Sequence, residues 1–250
     1  MLWAVRRLIA LSLLAWALLA GRLACADSVS TDVNIVTGLD FSGSIEARDA
    51  QVQIDGITMA IRSPQIIAAI KNGNHGRIGF ALFVWASGNY PILVTWRQIS
   101  SAEEAAAVAD EVSAGLHALI GSDTLAKLGA LTDLSGALDY GGAMLLAAPF
   151  ATDRRVINII GNGIDNVGEG VRPSRDRLVA AGVTINGVAL GRDRTFFAYL
   201  KRDVIGGPES FALMANDPEM LVEVVARKFV TEIVFNAPNA HQLLADQPLR

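Results

Sequence analysis

An apolar run from Val33 to Leu39 ends abruptly in Asp40-Phe41-Ser42-Gly43-Ser44. One carboxylate and two hydroxyls stand at alternate positions on the turn that leaves this run. Hard oxygen donors at such spacing can converge on one divalent cation. Two more polar clusters follow at a distance: Thr132-Asp133-Leu134-Ser135, opening a helix after Gly129-Ala130, and Gly161-Asn162-Gly163-Ile164-Asp165-Asn166, after Val156–Ile160, apolar but for Asn158. Ligands of open α/β sheets bind beyond the carboxyl ends of the strands, so these three turns are where chemistry is expected. The same residue types also make ordinary turns and helix caps, and Ser44 is placed to cap the helix that follows. From the residues alone, a cation site and an inert capped loop both remain open.

The elements that would position these turns alternate along the chain. Val33–Leu39 reads as a buried strand. Asp49–Ile70 carries Val52, Ile57, Met59 and Ala60 at helical spacing, with a break or restart expected at Pro64. Arg77–Trp85 and Tyr90–Trp96 are strand-like, and Gly88-Asn89 between them signals a hairpin. Ser101–Leu116 reads as a helix opened by Ser101 and Glu104 in capping-box spacing. A second helix, Ser135–Ala148, stops at Pro149. Then come the strand Val156–Ile160, a helix Pro173–Ala181 closed by Gly182, the strand Val183–Leu190, a last strand near Phe211–Met214 and a helix Pro218–Phe235. Near-continuous apolar strands separated by helices predict an α/β fold: a doubly wound, mostly parallel sheet with one antiparallel edge strand and helices on both faces. Phe80, Phe83, Trp85 and Trp96 are expected in its core, and Arg192-Asp193-Arg194 in a solvated charged turn.

The ends and the charge set further bounds. Arg6 and Arg7 precede an apolar run, Leu8–Ala20, and Ala24-Cys25-Ala26 supplies small residues for cleavage after Ala26. Residues 1–26 therefore read as a signal peptide, with an uncleaved anchor or lipidation at Cys25 as alternatives. The domain plan is 27–32 as a lead-in, 33–235 as one domain, and 236–250 as a disordered tail. Export places the protein in the periplasm or outside the cell. Removing three arginines and no acid turns the formal charge of −4 into −7, which argues against nucleic acid or an anionic membrane surface as partner. The single cysteine lies in the removed segment, so neither disulfide nor thiol chemistry is expected.

Asp40-x-Ser42-x-Ser44 after a first buried strand, Thr132 at a later helix start, and a short strand ending in a polar, glycine-flanked loop together resemble the von Willebrand factor type A domain. The turns resemble its metal-ion-dependent adhesion site. More narrowly, His75-Gly76-Arg77-Ile78, Arg154-Arg155-Val156-Ile157, Gly182-Val183-Thr184-Ile185-Asn186-Gly187 and Val204-Ile205-Gly206-Gly207-Pro208 resemble an uncharacterised bacterial family of exported proteins with this domain. The resemblance spans Val33–Val234. It implies that Asp40, Ser42, Ser44, Thr132 and Asn162 are the metal-site residues, holding Mg²⁺ or Mn²⁺. The fifth place is normally an Asp, so Asn162 removes one negative charge, which Asp133 or Asp165 could restore. Ala130-Leu131 also stands where many relatives have glycines.

Other chemistry finds less support. Gly161-x-Gly163 lacks the third glycine of a dinucleotide fingerprint, since Asn166 occupies that place. No phosphate loop or nucleophile elbow is present. His75, His117 and His241 have no zinc-like spacing. The expected function is an exported, non-enzymatic protein-binding module with a degenerate metal-ion-dependent adhesion site, recognising an acidic group of a partner protein. The alternatives are an exported metal-dependent hydrolase using the same loop, or a structural domain with an empty site.

Overall fold

Strand β1 (Asn34–Asp40) is buried along its whole length, which puts it at the centre of a sheet. A computed structural model of the chain describes residues 28–120 and 127–234. The expected signal peptide, Cys25 and the 236–250 tail lie outside the described residues. Parallel to β1 run β2 (Ile78–Trp85) on one side and β4 (Arg155–Gly161) on the other. The six-stranded order is β3-β2-β1-β4-β5-β6, with β3 (Ile92–Ile99), β5 (Val183–Leu190) and β6 (Ala212–Ala215) completing it. Only β3 runs antiparallel, on the edge beside β2, as the hairpin signal implied.

The pleat sends alternate residues to opposite faces. On β2, Phe80, Leu82 and Val84 pack in one core, under α1 (Ala47–Ile61), α2 (Pro64–Lys71), α3 (Ala102–Ile120) and the C-terminal α7 (Pro218–Val234). Ala81, Phe83 and Trp85 pack in the other, under α4 (Leu134–Leu146), α5 (Arg172–Ala180) and α6 (Arg194–Tyr199). Covering both faces is what a continuous apolar strand requires, because neither set of side chains can face water. The doubly wound α/β architecture is therefore as expected.

Local chemistry sets the element ends. The α1–α2 break falls at Ser63, whose hydroxyl accepts from the Ile66 N–H at 3.3 Å, with Pro64 in the first turn where its missing N–H costs nothing. Ser101 accepts from the Glu104 N–H at 3.2 Å, but the Glu104 carboxylate takes its bonds from Ser100 rather than closing the box on Ser101. The hairpin lies one residue earlier than Gly88-Asn89. Ser87 and Gly88 are its two loop residues, with φ of 46° and 79°, and Ala86 and Asn89 exchange main-chain bonds of 3.1 and 2.8 Å. Both φ values are positive, as a two-residue loop matched to strand twist demands.

One helical segment was not expected. After the exposed Arg192–Arg194 turn, α6 continues into a π-helical turn, Leu200–Val204. Asp193 is its cap, accepting from the Thr195 N–H at 2.7 Å, and Phe196, Leu200 and Val204 are buried beneath it.

Candidate metal centre

Asp40 is the last residue of β1, and its side chain is fully buried. Its carboxylate accepts from the Ser42 N–H at 2.8 Å and from the Asn162 N–H at 3.4 Å. No lysine or arginine pairs with it among the described residues. Burial therefore raises its pKa above the usual carboxylate value, and the Ser42 and Asn162 bonds offset that only in part. A buried carboxylate held only by neutral donors has room in its electrostatics for a cation.

The other four residues gather around it. Thr132 Oγ1 donates to Ser42 Oγ at 3.3 Å, Ser42 and Ser44 hydroxyls lie 3.3 Å apart, and Ser44 Oγ donates to Asn162 Oδ1 at 2.6 Å. Asn162 Nδ2 closes the ring on the Ser44 carbonyl at 3.4 Å. The structure thus brings all five residues, from three turns, to the carboxyl ends of neighbouring strands. Ser44 does not cap α1: that helix starts past Glu46 with no side-chain cap, and the Ser44 hydroxyl turns toward Asn162 instead. The capped-loop expectation fails at this residue because its hydroxyl has a better partner across the sheet.

The backbone leaves this space open. A Cβ on Gly161 would lie 2.9 Å from Asp40 Oδ2, and one on Gly163 would lie 2.8 Å from Thr132 Oγ1. The donors are all oxygens, which suits a hard divalent cation. Only one carries charge, and among the described residues no three His, Cys, Asp or Glu side chains form a group that could hold a metal.

Asp133 and Asp165 do not restore the missing charge. Asp133 caps α4, accepting from the Gly136 N–H at 3.0 Å and the Tyr90 hydroxyl at 2.6 Å. Asp165 Oδ1 accepts from the Leu134 and Ser135 N–H groups at 2.9 and 3.2 Å. Both carboxylates face the N-terminal end of α4, although burial still raises the Asp165 pKa above the usual carboxylate value and leaves its Oδ2 without a partner among the described residues.

Three positioning residues escaped the sequence reading. Gln53 on α1 donates Nε2 to the Asp40 carbonyl at 3.2 Å. Asn166 clasps Thr132, accepting its N–H at 2.8 Å and returning its own N–H to the Thr132 carbonyl at 3.0 Å. Ser87 accepts the Leu131 N–H at 2.7 Å, tying the Thr132 loop to the hairpin. Asn166 stood in a polar cluster already singled out, but its bond to Thr132 had no signal, and neither did the roles of Gln53 and Ser87.

Comparisons with known proteins bear on the family and the fold. A family model described as "Protein of unknown function (DUF1194)" matches residues 30–237. No curated protein matches the chain. Among solved structures, the pilus adhesin SpaC of Lactobacillus rhamnosus GG, in its open conformation, is similar at 14% identity and a TM-score of 0.59, covering 83% of this chain and 30% of SpaC. The chain thus spans less than a third of that adhesin. The von Willebrand factor domain of the type V pili tip protein Mfa5 from Porphyromonas gingivalis is 9% identical, with a TM-score of 0.56 over 84% of this chain and 97% of that domain. The mussel byssus proximal thread matrix protein 1, with a zinc-occupied MIDAS motif, is 14% identical, with a TM-score of 0.55 over 87% and 58% of the two chains. The fold is that of a von Willebrand factor type A domain.

Proposed function

The chain belongs to the family described by DUF1194, and from that premise we propose that it is an exported protein-binding module. Its Asp40, Ser42, Ser44, Thr132 and Asn162 would hold Mg²⁺ or Mn²⁺, directly or through water, and an acidic side chain of a partner protein would complete the coordination. The observation that carries this reading is the ring of oxygens from three turns around a buried carboxylate that lacks a counter-charge among the described residues.

Each residue has a physical part. Asp40 supplies the one negative charge. Ser42, Ser44 and Thr132 supply neutral hydroxyls, and Asn162 an amide oxygen, so charge neutrality is reached only with a carboxylate from outside. The bound cation would supply the electrostatic attraction for that carboxylate. Leu131 and Ile164, about half exposed on the two flanking loops, offer apolar contact beside a polar anchor, as interface cores require. Zinc in the MIDAS motif of the mussel protein and the adhesin and pilus-tip neighbours are compatible with this reading. No helix among the described residues is long and apolar enough to cross a membrane.

The test is thermal. A ligand at a hundred times its Kd stabilises by about 2.7 kcal/mol, or roughly 5–10 °C in Tm for a domain near this size. Millimolar Mg²⁺ is expected to raise Tm, and Asp40→Ala to abolish the shift. No shift with either Mg²⁺ or Mn²⁺ would leave the domain structural.

A further inference from the structure

Beside the five residues lies a cavity of about 150 Å³, walled by Val52 of α1, Leu190 at the end of β5, Ala215 of β6 and Leu221 of α7. Asn162 borders the cavity as well as the cation site, and Gln53 stands in the cavity wall while donating to the Asp40 carbonyl at 3.2 Å. That bond fixes which way the Gln53 amide faces. Its Oε1 is left buried with no partner among the described residues, and a buried acceptor without a donor is destabilising.

The remaining ionisable groups on the wall are two acids, Asp49 and Asp217. Asp217 is engaged by Arg192 at 2.7 Å. Among the described residues, the Asp49 carboxylate has neither an ion pair nor a hydrogen bond. The cavity therefore has an apolar shaft and, on its wall, one unpaired carboxylate, that of Asp49. That combination selects a long aliphatic stem with a cationic N–H tip, because such a side chain buries its stem while its head keeps polar partners. An apolar void of about 150 Å³ accommodates a group the size of benzene, and a lysine side chain is of that order.

We propose that this cavity is a subsite for a lysine of the partner segment, next to the acidic residue that meets the cation. Its role beside the cation rests on the reading above; occupancy of the cavity does not. With Asp40 and a partner carboxylate both bound, a divalent ion carries no net charge, so the neighbouring ammonium meets Asp49 without repulsion.

The probe is Nα-acetyl-lysine amide, titrated into the protein in EDTA and read from the methyl NMR signals of Val52, Leu190 and Leu221. Saturable shifts are expected, weakened about fivefold by Asp49→Asn, the scale of one partly exposed ion pair. Nα-acetyl-norleucine amide, with the same stem and no charge, is expected to bind more weakly by a similar factor. Ala215→Met, which fills the cavity, should abolish the shifts while unfolding stays cooperative. Equal binding of the two amides, or no methyl shift with either, overturns the proposal. If the lysine probe fails while Mg²⁺ still raises Tm, the subsite is wrong and the cation reading stands. If the probe binds and Mg²⁺ has no effect, the subsite stands and the cation reading falls.

Discussion

On the proposed cation reading, Asn162 sets the affinity of the candidate centre. Its Oδ1 accepts from Ser44 and its N–H reaches Asp40, so Asn162→Asp would set a second carboxylate against the first. Two unit charges about 4 Å apart interact by roughly 4 kcal/mol at an effective dielectric of 20. Without a divalent ion that repulsion is expected to lower Tm. With Mg²⁺ the same charge becomes a ligand, and apparent affinity should rise by about tenfold or more, measured from the Mg²⁺ dependence of Tm. A variant that binds Mg²⁺ no better than the parent would mean that residue 162 does not face the ion. Gln53, Ser87 and Asn166 also act at this scale. Each makes its bond to a residue 13 to 44 positions away, and no local pattern announces such a pairing.

Helix α7 is held to the sheet by charge as well as by apolar contact. Lys228 and Glu232, four apart, are both buried and pair with each other. Asn158 on β4 accepts from Lys228 and donates to Glu232 at 3.1 Å, and Asn186 on β5 donates to Glu232 at 2.7 Å. Burial lowers the Lys228 pKa, while the Glu232 charge opposes that shift. Removing one partner strands a charge in the core, so Lys228→Met is expected to cost about 3–5 kcal/mol in urea unfolding. Adding Glu232→Gln should recover part of that loss, because the stranded charge goes with it. A double variant as unstable as the single one would show that the pair's hydrogen bonds, not its charge, hold α7. Spacing alone makes such a pair look like a surface bridge; the asparagines on the facing strands make burial possible. The short α6 escaped for a different reason. Its buried Phe196, with Leu200 and Val204 of the π-helical turn that continues it, keeps a spacing of four, a helical signal that the reading of Arg192–Arg194 as a charged turn passed over.

At the scale of the whole molecule, two tyrosines set an expected alkaline limit. Tyr199 is pushed up to about 12, chiefly by burial and then by the Asp165 charge, and Tyr90 is raised by burial and its bond to Asp133. A raised folded-state pKa contributes stability that is present below the unfolded value of 10.0 and is lost as pH rises through the folded value. Stability is therefore expected to decline between pH 10 and about 12, and Tyr199→Phe to flatten that decline. An unchanged slope in Tm against pH would remove Tyr199 from the account.

The sequence by itself determined the alternation of strands and helices, the antiparallel edge and the position of the Asp40-x-Ser42-x-Ser44 turn. These follow from short-range physics: apolar runs must be covered, Pro and Gly end elements, and a turn's side chains sit at fixed offsets. Only the tertiary structure decided that Ser44 turns to Asn162 rather than capping α1, that Asp133 and Asp165 serve α4, and that a cavity opens beside Asn162. Each of these choices compares one hydrogen bond or void against another across the sheet, and such comparisons exist only once distant turns have been brought to the same edge.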